Sequence, residues 1–599
     1  MLKRAVRFAL SRGVEAGSVL AAEQALSGLD PLLELLALKR LDRVIAEAAR
    51  TTQLDDEAHR LRIAAIMLDR RVPEAEYDDD DAISEEYSRL AAPAPPLRGP
   101  WLVGGATLGV VLGVTATIAI VVLTRPFDPS KTPAGRVLSR TLGDFIVVAD
   151  RRPPSDTALA RLRDAASDDR AKRALGKGTA DAMGHLLDTT RALAEASPSD
   201  AKQKTDAFFA ATASLDQSLD AAKLPYFVDA DLLPRPGNPA PLLFSFYVER
   251  DKRVAAAGQQ IRVVYLWRLD TLNVRQNYLG YTRARTPAAL VLLDQIENEL
   301  VRLALPAIPP GEPAELFDEN TRLSHPGQIK AIEARAGKVL RRYYASMPPE
   351  LRADAQRVGV LLAKRRTLVE KWQGTLRSQG LEFRVPDRLI PRAKYSKELE
   401  LRIPRDQLRE WDEIHESLLQ PETLHAFERL RDRYAASVER HEVQHRVDYA
   451  RGLVPVPPLI VSMLHVDNPL DAKPGSLAAR ARDELSAYLA ELSGHQDSPL
   501  LALVLLSRFV LDRDLPSGPY FYAALAAFEG IGQELGLDVD AMLGRGADRQ
   551  RFARLLFAVL KNTPARIQKA ARGAWNQQFG AKLSAVHSGS EKQNRPWRH

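Results

Sequence analysis

The 599-residue chain contains no cysteine. That excludes a disulfide framework, thiolate metal ligands, thiol nucleophiles and iron–sulfur clusters. Any metal site must be built from His, Asp and Glu. Aromatic residues are only 6% of the chain, too few for a base-stacking surface. Charge of one sign is also scarce: 84 Lys and Arg stand against 77 Asp and Glu, and the excess of +7 is scattered. No nucleic-acid partner is expected. No Gly-rich phosphate loop and no dinucleotide fingerprint occurs. What is there is ordinary globular composition, 45% hydrophobic and 27% charged. At roughly 100–200 residues per domain, the length calls for several domains.

One long hydrophobic run stands out. Trp101–Leu123 carries no charge, is flanked by Arg98 and Arg125, and opens on a tryptophan suited to a membrane interface. At about 1.5 Å per residue it reaches across about 30 Å of hydrocarbon. The expectation is a single transmembrane helix, a single-pass membrane protein with the lipid bilayer as partner. Gly105, Gly109 and Gly113 recur on one face of this run, a pattern that suits a homodimer. Arg89 and Arg98 precede the span, whereas Arg125, Lys131, Arg136 and Arg140 follow it, which leans toward a cytoplasmic C-terminal side. Against this, the first hundred residues hold no export signal, which favours a signal-anchor with the C-terminal region non-cytoplasmic. The second orientation is the one expected.

The rest of the chain reads as mainly α with a small antiparallel β component. Residues 1–73 form a Leu-rich helical N-terminal module, and 74–100 an acidic, Pro-rich linker without fixed structure. After the span at 101–123 comes a helical region, 137–380, with a small antiparallel sheet near 242–282. Its strands are Leu242–Glu249, Ile261–Leu269 and Asn277–Thr282, picked out by alternation and β-branched content. Helices are expected at 286–305, 326–346 and 349–379. Residues 381–580 form the metal-binding region, beginning with two extended segments, Leu381–Val385 and Leu399–Ile403. Residues 581–599 read as a disordered tail.

Chemistry concentrates at 441–445, His-Glu-Val-Gln-His. Four residues apart on a helix, His441 and His445 project from one face and can share a metal. Glu442, beside the first histidine, is placed to act as general base on an attacking water. Pro421 and Gly452 bound a helix whose apolar side runs Leu424, Phe427, Leu430, Tyr434 and Val438, then His441, His445 and Tyr449. With no cysteine, the third ligand must be Glu, Asp or His. Glu484, Tyr488 and Glu491 share one face of a second helix after a Pro-rich loop, and Glu484 is the leading candidate. Glu491, His465, His495 and Asp448 are the alternatives, with Asp448 also placed to orient a histidine.

In these residues the chain resembles the gluzincins, zincin-fold peptidases in which a Glu on a later helix completes a His-Glu-x-x-His site. The resemblance covers about 430–495. It implies a zincin-like catalytic core with Zn2+ held by His441, His445 and Glu484, and catalysis by Glu442. It also implies a peptide or protein substrate laid along an edge strand, for which Leu399–Ile403 is the candidate. Tyr488 is placed either to donate a hydrogen bond to the developing oxyanion or simply to pack. There is no third His at the short metzincin spacing; position 451 is Arg. Two functions are consistent with this pattern. One is a membrane-anchored zinc metallopeptidase. The other is a non-enzymatic, membrane-tethered helical interaction protein with a vestigial or structural zincin-like core.

Overall fold

Proline sets the rhythm of the helices. Among the described residues eight α-helices open on it, where the fixed φ suits the first turn and the missing N–H is not needed. The computed structural model describes residues 127–149, 156–197, 199–233, 240–269, 279–305 without 284 and 287, 326–377, 388–390, and 402–594 without 453–454, 471, 495–498, 512–517 and 544–548. Helices α1 (Pro133–Ala149), α2 (Asp156–Ser167), α3 (Asp169–Leu175), α4 (Lys177–Ala194) and α5 (Ala201–Ala221) come first. Strands β1 (Tyr226–Leu233), β2 (Ala240–Ala256), β3 (Gln259–Arg268), β4 (Gly280–Tyr281) and β5 (Ala288–Leu292) follow. Then come α6 (Leu293–Glu299), α7 (Pro326–Ala345), α8 (Pro349–Arg377), α9 (Arg405–Leu418), α10 (Pro421–Arg451), α11 (Pro458–Leu464) and α12 (Leu477–Leu492). Last are α13 (Pro499–Leu511), α14 (Pro519–Glu534), α15 (Val539–Leu543), α16 (Arg549–Leu560), α17 (Pro564–Phe579) and β6 (Val586–Gln593). All of these lie in one compact unit, Arg125–His599.

The strand order is β1-β2-β3-β5-β4, with β6 also paired to β2. β2 is long enough to take two partners on one flank: its first half pairs with β1 (Leu243 with Ala230) and its second with β6 (Val254 with Ser588). Ala257 and Gly258, both at positive φ, make the tight β2–β3 turn. All five residues of β5 are buried. Helix α10 lies against β5 and β3 and is covered by α8 and α12.

Buried charge fixes how α10 sits on the sheet. Arg431 donates to Glu249 at 2.7 Å, with side chains 5% and 2% exposed, and Trp267 Nε1 donates to the other Glu249 oxygen at 2.6 Å. Arg250 pairs with Asp432 at 3.0 Å, and Lys252 with Glu439 at 2.9 Å. Tyr265 also donates its hydroxyl proton to Glu439. A shift of α10 along the sheet would strand these charges in low dielectric, so the pairs specify its register.

Several expectations are corrected here. The single transmembrane helix and the single-pass localisation are withdrawn: among the described residues no helix is long and apolar enough to cross a membrane. Trp101–Leu123 with Gly105, Gly109 and Gly113, the N-terminal module 1–73 and the linker 74–100 all lie outside the described residues. The sheet is mixed rather than antiparallel, because β3 and β5 run parallel, Val264 beside Leu290. The expected helix 286–305 is β5, then α6, then a π-helical stretch at Leu300–Ala304; the apolar run Ala288–Leu292 is extended where it enters the sheet. Part of the expected disordered tail is β6, held by backbone pairing to β2 although nearly all its side chains are exposed. The strand order ends on β1 and on β4; of the candidate edge strand Leu399–Ile403, Arg402 and Ile403 lie in a turn, and 399–401 fall outside the described residues.

Candidate metal centre

Two helices supply the site. α10 begins at Pro421 and stops at Gly452, whose φ of +83° lets the chain leave the helix without strain. α12 is capped by Ser476, whose hydroxyl accepts from Ala479 N at 3.2 Å. Ser486 of the same helix accepts from Trp575 Nε1 of α17 at 3.0 Å, and Glu484, Tyr488 and Glu491 face His441 of α10.

His441, His445 and Glu484 converge, each offering one ligand atom within 4.8 Å of the others. His441 Nε2 and His445 Nε2 are 3.2 Å apart. Glu484 Oε2 lies 3.6 Å from the first and 3.9 Å from the second. In a tetrahedral zinc site with bonds near 2.1 Å, ligand atoms stand about 3.4 Å apart. The triangle is thus close to the required size, and its donors, two imidazoles and a carboxylate, suit zinc. Ser437 donates to Glu491 Oε1 at 3.0 Å, and Glu491 Oε2 lies 3.2 Å from His441 Nδ1. That contact leaves Nε2 as the nitrogen with which His441 could hold an ion. His445 Nδ1 is buried without a hydrogen-bond partner among the described residues.

The electrostatics fit a cation. Burial acts to lower the His441 pKa, but hydrogen bonds to Glu484 and then Glu491 outweigh it and hold it at about 10. His445 is lowered to about 4, chiefly by burial, so it is neutral and ready to ligate at pH 7. Burial pushes Glu484 up, yet the His441 hydrogen bond and the electrostatic pull of His445 and His441 bring it below its ordinary value. The two acidic groups around His441 attract one positive charge, and a divalent ion would replace that proton.

Glu442 is 3% exposed and turns toward the sheet. Thr282 Oγ1 lies 2.8 Å from its Oε2, and Gly280 lies so close that an added Cβ would stand 2.8 Å from Glu442 Cγ. Burial raises the Glu442 pKa to about 8, opposed by His441 and by the Thr282 hydrogen bond. A carboxyl poised near neutrality is suited to taking and giving a proton.

The other candidates fall into place around this group. Tyr488 is buried with its ring 5.0 Å from that of His441, and it packs on Phe509. Asp448 accepts from Gln444 Nε2 at 2.8 Å, so it braces the helix it belongs to. Neither it nor His465, which caps α11 at positive φ, belongs to the ligand cluster. His495 lies outside the described residues. The sequence reading missed Thr282 and Gly280, which reach the site from 160 residues away and leave no local pattern. No family model, no curated protein and no solved structure matches this chain.

Proposed function

We propose that the chain is a zinc-dependent metallopeptidase of the gluzincin kind, hydrolysing peptide bonds in a peptide or protein substrate. The observation that carries this reading is the triangle of His441 Nε2, His445 Nε2 and Glu484 Oε2, with sides of 3.2, 3.6 and 3.9 Å. These three residues would hold the ion. When bound, zinc supplies Lewis-acid polarisation of a carbonyl and lowers the pKa of water. Glu491 orients His441, and Glu442 takes the proton of the attacking water and passes it to the leaving amine.

The test is metal analysis followed by a peptide-library digest. The purified protein is expected to hold about one zinc per chain and His441→Ala to hold none. Glu442→Gln is expected to keep zinc and its melting profile while hydrolysis falls by at least about 10²–10⁴-fold. A wild type that binds zinc with four protein ligands and cleaves nothing would replace this reading with that of a non-enzymatic interaction protein.

A further inference from the structure

Glu442 is held from the sheet side by one short segment. Gly280 and Thr282 are two residues apart in extended chain, so they present to the same side. Gly280 makes room: a Cβ there would meet Leu290 O at 2.6 Å and Glu442 Oε1 at 2.9 Å. Thr282 supplies the hydrogen bond. Its hydroxyl is 2.8 Å from Glu442 Oε2 and 3.2 Å from the Glu442 carbonyl oxygen, and it has one proton to donate. Thr282 is 8% exposed, so bulk water does not compete for that proton.

The segment itself is clamped. Arg283 donates to Asp229 at 2.5 Å, to Asp231 at 2.8 Å and to Ala230 O at 2.8 Å, which ties it to β1. One turn after Glu442, Arg446 donates to Thr286 O at 2.9 Å and Arg283 O at 3.4 Å. Helix α10 therefore grips Thr282, Arg283 and Thr286 at two successive turns. β-Branching restricts the Thr282 rotamer, so the hydroxyl is presented from a fixed place.

We propose that Thr282 is a positioning residue for Glu442, fixing the direction of the carboxylate of the general base. This rests on the peptidase reading of the same site. In that reading Thr282 occupies Oε2, so that the proton of the attacking water is taken by Oε1. Without the Thr282 donor, Glu442 turns away from the geometry that proton transfer needs, and a displacement of about 1 Å costs on the order of 10²-fold in rate.

The test compares the zinc-loaded wild type with Thr282→Ser and Thr282→Val. Crystal structures report the Glu442 carboxylate, and steady-state kinetics report kcat and KM on one peptide. The serine variant is expected to keep the carboxylate in place and kcat within a few-fold. The valine variant is expected to keep zinc, turn the carboxylate away, and lose about 10–100-fold in kcat with KM nearly unchanged. If the valine variant does not fold, Thr282→Ala is read in the same way. A carboxylate that stays in place without the hydroxyl overturns the proposal. A wild type that cleaves no peptide overturns the peptidase reading instead, and the position of the carboxylate still decides the role of Thr282.

Discussion

Glu491 Oε2 lies 3.2 Å from Nδ1 of His441, the ring nitrogen facing away from Glu484 Oε2. One helix, α12, thus reaches the same imidazole from both sides, with Glu484 toward Nε2 and Glu491 toward Nδ1. In the proposed zinc site this contact would set the tautomer and raise the basicity of Nε2. Glu491→Gln is expected to weaken zinc about 10–100-fold in chelator competition. Glu484→Ala, which removes a ligand, is expected to weaken it by several orders of magnitude. Equal losses in the two variants would place Glu491 in direct contact with the ion.

Gly280→Ala tests the space beside the base. Its Cβ would stand 2.6 Å from Leu290 O and 2.8 Å from Glu442 Cγ, so β4 or Glu442 must shift. Overpacking of this kind costs about 1–3 kcal/mol. A lower melting temperature together with reduced turnover is expected, with zinc retained. An unchanged melting temperature would mean that β4 does not lie against Glu442.

The Glu249–Arg431 pair tests how α10 is seated. Arg431→Ala leaves Glu249, 2% exposed, without its guanidinium partner, at a cost of about 3–5 kcal/mol in denaturant unfolding. Arg431→Ala combined with Glu249→Gln should recover much of that loss, because the stranded charge is gone. A double variant as unstable as the single one would assign the loss to packing over Trp267.

Asp448 gives a pH dependence. Burial raises its pKa to about 6 from 3.8, against hydrogen bonds from Ser486 and Gln444 that lower it. The folded state therefore holds this proton more tightly than the unfolded state. The contribution to stability is fully present below pH 3.8 and is lost as pH rises through about 6. Asp448→Asn lacks this term. Its stability relative to the wild type should rise between pH 4 and 7, by up to about 3 kcal/mol, and then level off. Parallel stability curves for the two proteins would contradict the raised pKa.

What the sequence disclosed follows from how far apart the interacting residues lie. Helix α10 was legible because Pro421, Gly452 and the spacing of His441 and His445 are local signals. Glu484 was legible from its helical spacing to Tyr488 and Glu491. The role of Glu491 was not, since a carboxylate that ligates and one that orients look alike in sequence. β5 was hidden because Ala-Ala-Leu-Val-Leu is apolar at every position and runs directly into a helix. β6 was hidden for the opposite reason: after Val586 it carries no apolar side chain, and backbone pairing places it. The hydrophobic run at 101–123 lies outside the described residues, among which no helix is long and apolar enough to cross a membrane.

The two partners on one flank of β2 also order events in time. β1 is made just before β2, but β6 and Asn594, which donates to Val248 O across 346 positions, are made far later. During synthesis the half of β2 from Arg250 to Ala256 leaves the ribosome with its backbone donors and acceptors on that flank unclaimed. It stays an open template for other strands until the end of the sequence arrives. Fragments ending before Val586 should therefore be prone to self-association even where His441, His445 and Glu484 are all present.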